Sequence, residues 1–201
     1  MHFFTHGRAL IIGVGDYQDP QWTVQITVAD AECVADALTD PAVGAYPPEQ
    51  VQVLTGAQTT RAGVTAALTQ LAHEARVTDT VVIFFCGHGA LGTDGVYHFA
   101  THEAVFVDGN VQAGTGLSAP DLIALLRDIN AQKLLFIINA CFSGRIAPTL
   151  GAPAVLGAPP SASFNAEALA SGEGRAIITA SRPTQYSHYG SDVSSPTLGG
   201  R

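Results

Sequence analysis

The stretch DTVVIFFCGHGALG, residues 79–92, decides how the fold is interpreted. Its first half is an unbroken apolar run, which predicts a strand buried on both faces of a sheet. The apolar run ends at Cys86 and is followed by His88, which stands between Gly87 and Gly89. An imidazole between two residues without side chains, at the end of a buried strand, indicates either a nucleotide-binding loop or a histidine with a chemical role.

The nucleotide interpretation rests on three glycines, at positions 87, 89 and 92, which match the pattern G-x-G-x-x-G. That fingerprint requires a helix to begin at once, so that its N-terminus meets the pyrophosphate. The residues that follow, TDGVYHFATHEA (93–104), have turn and strand character instead. We therefore predict no nucleotide site here, and the sequence also lacks a P-loop lysine pattern and a G-x-S-x-G nucleophile motif.

The composition restricts the class of protein. The chain has 201 residues, is 47% hydrophobic and carries a formal charge of −8, which is typical of a globular domain with an acidic surface. No basic cluster favours nucleic acid or an anionic membrane as a partner, and no apolar run approaches the roughly 20 residues of a membrane-spanning helix. We expect no secretion signal. Three cysteines without zinc-like spacing predict free thiols, no metal site and a cytoplasmic location.

Apolar runs alternate with helix-like segments along the chain. Three predicted helices separate the strand-like runs: one with helical spacing over 27–40, one opened by Thr59 or Thr60, and one capped by Ser118. Residues 95–110 predict a hairpin that turns at Asp108-Gly109. These features predict an α/β fold with a mostly parallel sheet flanked by helices on both faces. The five predicted strands are ALIIGVG (9–15), VQVLTG (51–56), VVIFFC (81–86), KLLFIINAC (133–141) and RAIITAS (175–181).

Two long segments show neither helical nor strand period. Residues 143–173 are rich in Pro, Gly, Ala and Ser and predict a flexible linker, and residues 182–201 predict an irregular C-terminal tail. We treat 1–201 as a single catalytic domain.

A second strand also ends in reactive chemistry. Cys141 follows the apolar run KLLFIINA directly, and the carboxyl ends of parallel strands share one edge of a sheet. A cysteine thiol has a pKa of about 8.5, so a neighbouring imidazole that accepts its proton makes it a better nucleophile. The sequence therefore predicts a pair of His88 and Cys141, with glycine amides available to an oxyanion. Cys86 and Cys33 are interpreted as core residues.

These motifs resemble those of the caspase-like cysteine peptidases. CGHG and NACFSG place Cys141 53 residues after His88, a separation similar to that in caspases. ALIIGVGDY, VADAECVADAL, TTRAGVTAALTQLA and ASRPTQYS also resemble family segments, so the likeness extends over about 9–187. The motif A-C-F-S-G is closer to the metacaspase and bacterial orthocaspase branch than to animal caspases.

The resemblance implies an endopeptidase with His88 as general base, Cys141 as nucleophile and the amides of Gly89 and Cys141 as oxyanion donors. In the metacaspase branch two aspartates recognise Arg or Lys at P1, the residue before the scissile bond. Asp30 matches one of them, whereas Asn139 stands at the position of the other, and Ser187 matches a pocket-wall segment. An amide oxygen still accepts from a guanidinium, so a basic P1 residue remains the expectation.

The resemblance also implies a six-stranded sheet, of which this chain supplies five strands. We expect a small-subunit segment to complete the domain, a protein or peptide substrate, and self-processing after Arg201. No cofactor is expected. Calcium activates some metacaspases, but no acidic cluster in the sequence is distinct enough to extend that property to this chain, and calcium activation stays open. Two alternatives stay open: a caspase-fold pseudo-enzyme that serves as an interaction module, and another Cys/His acyl-transfer hydrolase.

Overall fold

A computed structural model describes residues 3–140 and 174–179, and within them five parallel strands form the central sheet. The order across the sheet is β10-β9-β3-β1-β2, so the chain starts in the middle and crosses over in both directions. The mostly parallel α/β architecture predicted from the apolar runs is confirmed. The strands are β1 (Gly7–Gly13), β2 (Val51–Thr55), β3 (Thr80–Cys86), β9 (Lys133–Asn139) and β10 (Arg175–Thr179).

Three helices cover the sheet within the described residues. Helix α1 (Ile26–Thr39) packs on one face, and α2 (Arg61–Glu74) and α3 (Ala119–Arg127) contribute to the separate core on the other. Thr60 caps α2 by accepting from the Gly63 amide at 3.1 Å, and Ser118 caps α3 in the same manner. The predicted helix starts at Thr60 and Ser118 are therefore confirmed.

Helix α1 lies unusually close to β1. A Cβ added to Gly13 would stand 2.7 Å from the Cβ of Ala31 and 2.7 Å from the main-chain oxygen of Thr27. The missing side chain thus lets the first turns of α1 approach the carboxyl end of the sheet. Cys33, which we expected in the core, is exposed on this helix, because Ala31 and Ala35 face the sheet instead.

The predicted hairpin over 95–110 is correct only in its second half. Asp108 and Gly109, both with positive φ, turn the chain between β6 (Phe106–Val107) and β7 (Asn110–Val111). The first arm, β5 (Tyr97–Phe99), pairs instead with β4 (Gly89–Leu91) and β8 (Leu117–Ser118). The cause is a tight turn after β4, in which the Gly95 amide donates to the Gly92 oxygen at 2.9 Å.

The register brings the carboxyl ends of the strands level with one another. Cys86, the last residue of β3, pairs with Gly13 on one side and with Asn139 on the other. The predicted linker and tail, and the sixth strand that the resemblance implies, lie outside the described residues. The carboxyl edge formed by these three residues is where the predicted site belongs.

Candidate active site

His88 occupies the turn between β3 and β4 and is held at two points. Its main-chain N–H donates to the Tyr17 hydroxyl at 2.9 Å, and its Nε2 lies 2.8 Å from the main-chain oxygen of Trp22. A carbonyl oxygen only accepts, so Nε2 carries the proton of this hydrogen bond. In the neutral ring the lone pair is therefore on Nδ1, which is the atom able to accept a proton from a nucleophile.

Burial sets the protonation state of His88. Desolvation lowers the pKa of the imidazole below its ordinary value of 6.5, and the hydrogen bond to Trp22 opposes this effect in part. The ring is consequently neutral at neutral pH. A neutral imidazole with a fixed tautomer is the form that a general base requires.

Three aromatic side chains surround the imidazole, and we refer to Tyr17, Trp22 and Phe106 as the aromatic wall. Their ring centroids lie 5.2, 5.8 and 6.0 Å from that of His88, and Trp22 and Phe106 stack on each other at 4.1 Å. Edge-to-face and tilted contacts of this kind are favourable and define a ring's position. The aromatic wall was missed in the sequence because its members come from two distant loops.

The loop that carries Tyr17 and Trp22 is fastened by a second histidine. His102 donates from Nδ1 to the main-chain oxygen of Asp16 at 2.8 Å, and its own main-chain oxygen accepts from Gln18 at 2.9 Å. These two bonds bracket Tyr17 on either side. His102 therefore positions the residues that hold His88.

The main-chain amide of Gly89 is directed away from its neighbouring strand. Gly89 lies opposite Phe99 in the antiparallel β4–β5 pair, and the Ala100 amide donates to the His88 oxygen at 3.0 Å. Because hydrogen-bonded and non-hydrogen-bonded pairs alternate in such a ladder, Gly89 occupies a non-hydrogen-bonded position. Its N–H is not used by β5, as an oxyanion donor requires.

The two predicted pocket residues lie together with a third. The Nδ2 of Asn139 is 3.5 Å from Asp30 Oδ2 and 3.4 Å from the sulfur of Cys86, and that thiol is 3.7 Å from the same carboxylate oxygen. We call Asp30, Cys86 and Asn139 the carboxylate cluster. Cys86 is buried as predicted, but its contact with both pocket residues was missed, because a thiol within an apolar run gives no sign of its neighbours.

The carboxylate cluster is almost completely enclosed. Asp30 is 2% exposed and Asn139 is 1% exposed. The structure brings together His88, Gly89, Asp30 and Asn139 at one edge of the sheet. Cys141, Ser187 and Arg201 lie outside the described residues.

Two further features concern metals and membranes. Among residues 3–140 and 174–179, no group of three or more His, Cys, Asp or Glu side chains is arranged to hold a metal ion. No helix in the same part of the chain has the length and apolar character needed to cross a bilayer.

Comparison with protein families assigns the chain to a known family. The family described as Caspase domain matches residues 6–198, and the chain belongs to that family. The resemblance drawn from CGHG and NACFSG is thereby confirmed at the level of the family. A search of curated proteins finds no match.

Solved structures agree on the fold. Protein GSU0716 from Geobacter sulfurreducens superposes with a TM-score of 0.54 and 21% identity, over 71% of this chain and 53% of its own. Caspase-1 from Spodoptera frugiperda superposes with a TM-score of 0.57 and 15% identity, over 94% of this chain and 64% of its own. This chain thus spans between half and two thirds of the length of these two proteins.

Proposed function

We propose that this protein is a cysteine endopeptidase in which His88 activates Cys141. The single observation that carries the proposal is the position of His88, a partly buried neutral imidazole whose Nε2 donates to the Trp22 oxygen at 2.8 Å. Cys141 follows Asn139 by two residues and His88 follows Cys86 by two, and Cys86 and Asn139 are register partners. This symmetry supports a short distance between the two reactive groups.

The proposed reaction begins with transfer of the Cys141 proton to Nδ1 of His88. The thiolate attacks the carbonyl carbon before the scissile bond, and the N–H groups of Gly89 and Cys141 stabilise the oxyanion. The imidazolium then gives its proton to the leaving nitrogen, which breaks the C–N bond and leaves a thioester. Water, deprotonated by His88, hydrolyses the thioester and restores the thiol. The Trp22 carbonyl orients the ring throughout without adding a negative charge.

We further propose that the substrate carries Arg or Lys at P1. Asp30 supplies a carboxylate in a desolvated cluster, where a charged partner is strongly preferred to a neutral one. Asn139 supplies an amide in place of a second carboxylate, so Asp30 is the one carboxylate among the three members of this cluster. On the basis of the resemblance, we assign Ser187 to the wall of the pocket. On the same basis, we propose that a small-subunit segment completes the sheet.

Hydrolysis of an Arg-aminomethylcoumarin peptide tests the proposal. Wild-type protein should release the fluorophore, and alkylation with iodoacetamide or the substitution Cys141→Ala should abolish release. Cys33→Ala is the matched control, because Cys33 is the exposed thiol of α1 and should be dispensable. A folded wild-type protein without turnover would indicate the pseudo-enzyme alternative, and turnover that resists Cys141→Ala would contradict the dyad.

Self-processing after Arg201 belongs to the same proposal. Arg201 lies in a stretch rich in Gly, Ser and Pro, of the kind that proteases cut. A reporter domain fused after Arg201 should be released by the wild type and remain attached in the Cys141→Ala variant, as read by intact mass. Release from both proteins, or from neither, would contradict self-processing while leaving the dyad to the peptide assay.

A further inference from the structure

The two sides of His88 have opposite chemical character. Cys86 belongs to the core cluster on the α1 face of the sheet, and it contacts the other two members of the carboxylate cluster, Asp30 and Asn139. Tyr17 belongs to the core on the other face, and Trp22 and Phe106 pack against that same core. The imidazole lies on the aromatic side, so a substrate crossing this edge meets the carboxylate cluster on one side of His88 and the aromatic wall on the other.

The direction of the substrate follows from the chemistry of His88. The imidazolium must protonate the leaving nitrogen, so the segment that departs passes beside the ring. If the P1 side chain is directed to Asp30 on the α1 face, the residue after the scissile bond is directed toward the opposite face. There the Trp22–Phe106 stack, which touches the His88 ring edge-on, is the surface that it meets.

Two members of the aromatic wall, Trp22 and Phe106, are accessible enough to bind a side chain, whereas Tyr17 is buried behind them. Trp22 and Phe106 are only partly buried, and Val105 and Val107, which flank Phe106 in the sequence, are 44% and 45% exposed. Apolar surface grouped beside a catalytic base is typical of a binding surface. Asp19 and Asp108 are exposed close by in the sequence, which disfavours an acidic ligand.

We propose that the aromatic wall binds the residue that follows the scissile bond, the P1′ residue, and selects an apolar or aromatic side chain there. The inference rests on the proposed peptidase function and specifies its leaving-group side. Stacking or edge contact with Trp22 and Phe106 would hold the departing segment in line with Nδ1 of His88. Selection at P1′ therefore acts on turnover as well as on affinity.

The test is a set of full-length peptides with Arg at P1 that differ only at P1′, where Phe, Leu, Gly and Asp are compared. The values of kcat/KM for Phe and Leu should exceed that for Gly by about tenfold, and Asp should fall below Gly. In Phe106→Ala the Phe-to-Gly ratio should approach one. Phe106→Tyr retains the ring and is the matched control, which should keep the ratio.

The outcomes separate this inference from the proposed function. A wild-type Phe-to-Gly ratio near one, or a ratio that survives Phe106→Ala in a protein with an unchanged Tm, would overturn the assignment of the wall. Cleavage of no peptide by a folded protein would contradict the peptidase itself. The same peptides, titrated uncut into Cys141→Ala, test the wall by affinity alone, and about tenfold tighter binding of the Phe peptide is expected.

Discussion

The Nε2 atom of His88 donates a hydrogen bond to the main-chain oxygen of Trp22 across 2.8 Å. The partner is a carbonyl and not a carboxylate, so it selects the tautomer and orients the ring but does not stabilise the imidazolium by charge. The partly buried ring is therefore neutral at neutral pH. The proposed peptidase depends on this pairing, because a freely rotating or charged imidazole could not act as the base.

The pH dependence of activity should reflect the partly buried imidazole of His88. Desolvation lowers the pKa of His88 below 6.5, so the acid limb of kcat/KM should have its midpoint below pH 6.5. The free energy of unfolding should also decrease as the pH falls. Below pH 6.5 the histidine of the unfolded chain takes up a proton before His88 of the folded protein does, so stability decreases until the folded-state pKa is passed. NMR titration of His88 in Cys141→Ala is the direct measurement, and a midpoint at or above 6.5 would count against a desolvated, neutral ring.

Removing the Tyr17 hydroxyl should impair turnover more than binding. Tyr17→Phe deletes the acceptor of the His88 amide, a hydrogen bond of about 1 kcal/mol, and loosens the turn that presents both His88 and Gly89. We expect kcat to fall by on the order of tenfold with little change in KM. Tyr46→Phe, the same change at a buried tyrosine beside Gly7 at the opposite end of β1, is the control. Equal effects of the two substitutions would indicate a general loss of stability.

The carboxylate cluster should govern the choice of P1 residue. Asp30→Asn preserves the shape of the side chain but removes its capacity for charge. The transition-state stabilisation derived from kcat/KM should fall by about 2–5 kcal/mol more for an Arg substrate than for a norleucine substrate. Asp36→Asn is the matched control, because Asp36 is exposed on the same helix. A similar loss on the Arg and norleucine substrates would show that Asp30 supports the structure and does not read the side chain.

The converse change is Asn139→Asp, which should strengthen the preference for Arg. It places a second carboxylate beside Asp30, where the Asn139 Nδ2 now lies 3.5 Å from Oδ2. Two buried carboxylates repel each other, so Tm should fall at neutral pH and recover when an Arg-containing inhibitor binds. An unchanged Tm and an unchanged Arg preference would show that the two side chains do not form one pocket.

Close packing of α1 on β1 links the fold to the pocket. Gly13→Ala would place a Cβ 2.7 Å from both Ala31 and the Thr27 oxygen, so the helix must shift. We expect a loss of about 1–3 kcal/mol in the free energy of unfolding, with impaired selection at P1 because Asp30 moves with the helix. Denaturant unfolding and the Arg-to-norleucine ratio measure the two effects. Gly109→Ala is a contrasting control, because it has open space around it and tests only backbone strain at positive φ.

The sequence was sufficient for the elements whose signal is local. Continuous apolar runs predicted the five parallel strands, and Thr60 and Ser118 marked two helix starts, because burial and capping depend on residues close in the chain. The pairing of β5 with β4 was not predicted. The Asp108-Gly109 turn signal indicated one hairpin over 95–110, whereas a tight turn after β4 pairs β5 with β4, and the Asp108-Gly109 turn joins β6 to β7.

The site was predictable only in part. Asp30 and Asn139, both of which the resemblance supplied, lie 3.5 Å apart, and their part in binding a substrate stays a prediction. The Trp22 oxygen could not be found from the sequence, since every residue has a carbonyl and only the path of the loop selects this one. Tyr17 and Phe106 were missed for a similar reason: they reach His88 from loops that are distant in sequence.

The measurement that tests the central claim most directly is covalent labelling with a peptidyl-Arg acyloxymethyl ketone, followed by mapping of the modified residue by mass spectrometry. Cys141 should carry one adduct, and the label should be lost in Cys141→Ala and strongly reduced in His88→Ala. The other two thiols serve as internal controls, because Cys33 is exposed on α1 and Cys86 is buried in the carboxylate cluster. A label on Cys33 or Cys86 in place of Cys141, or no adduct on a folded protein, would contradict the account.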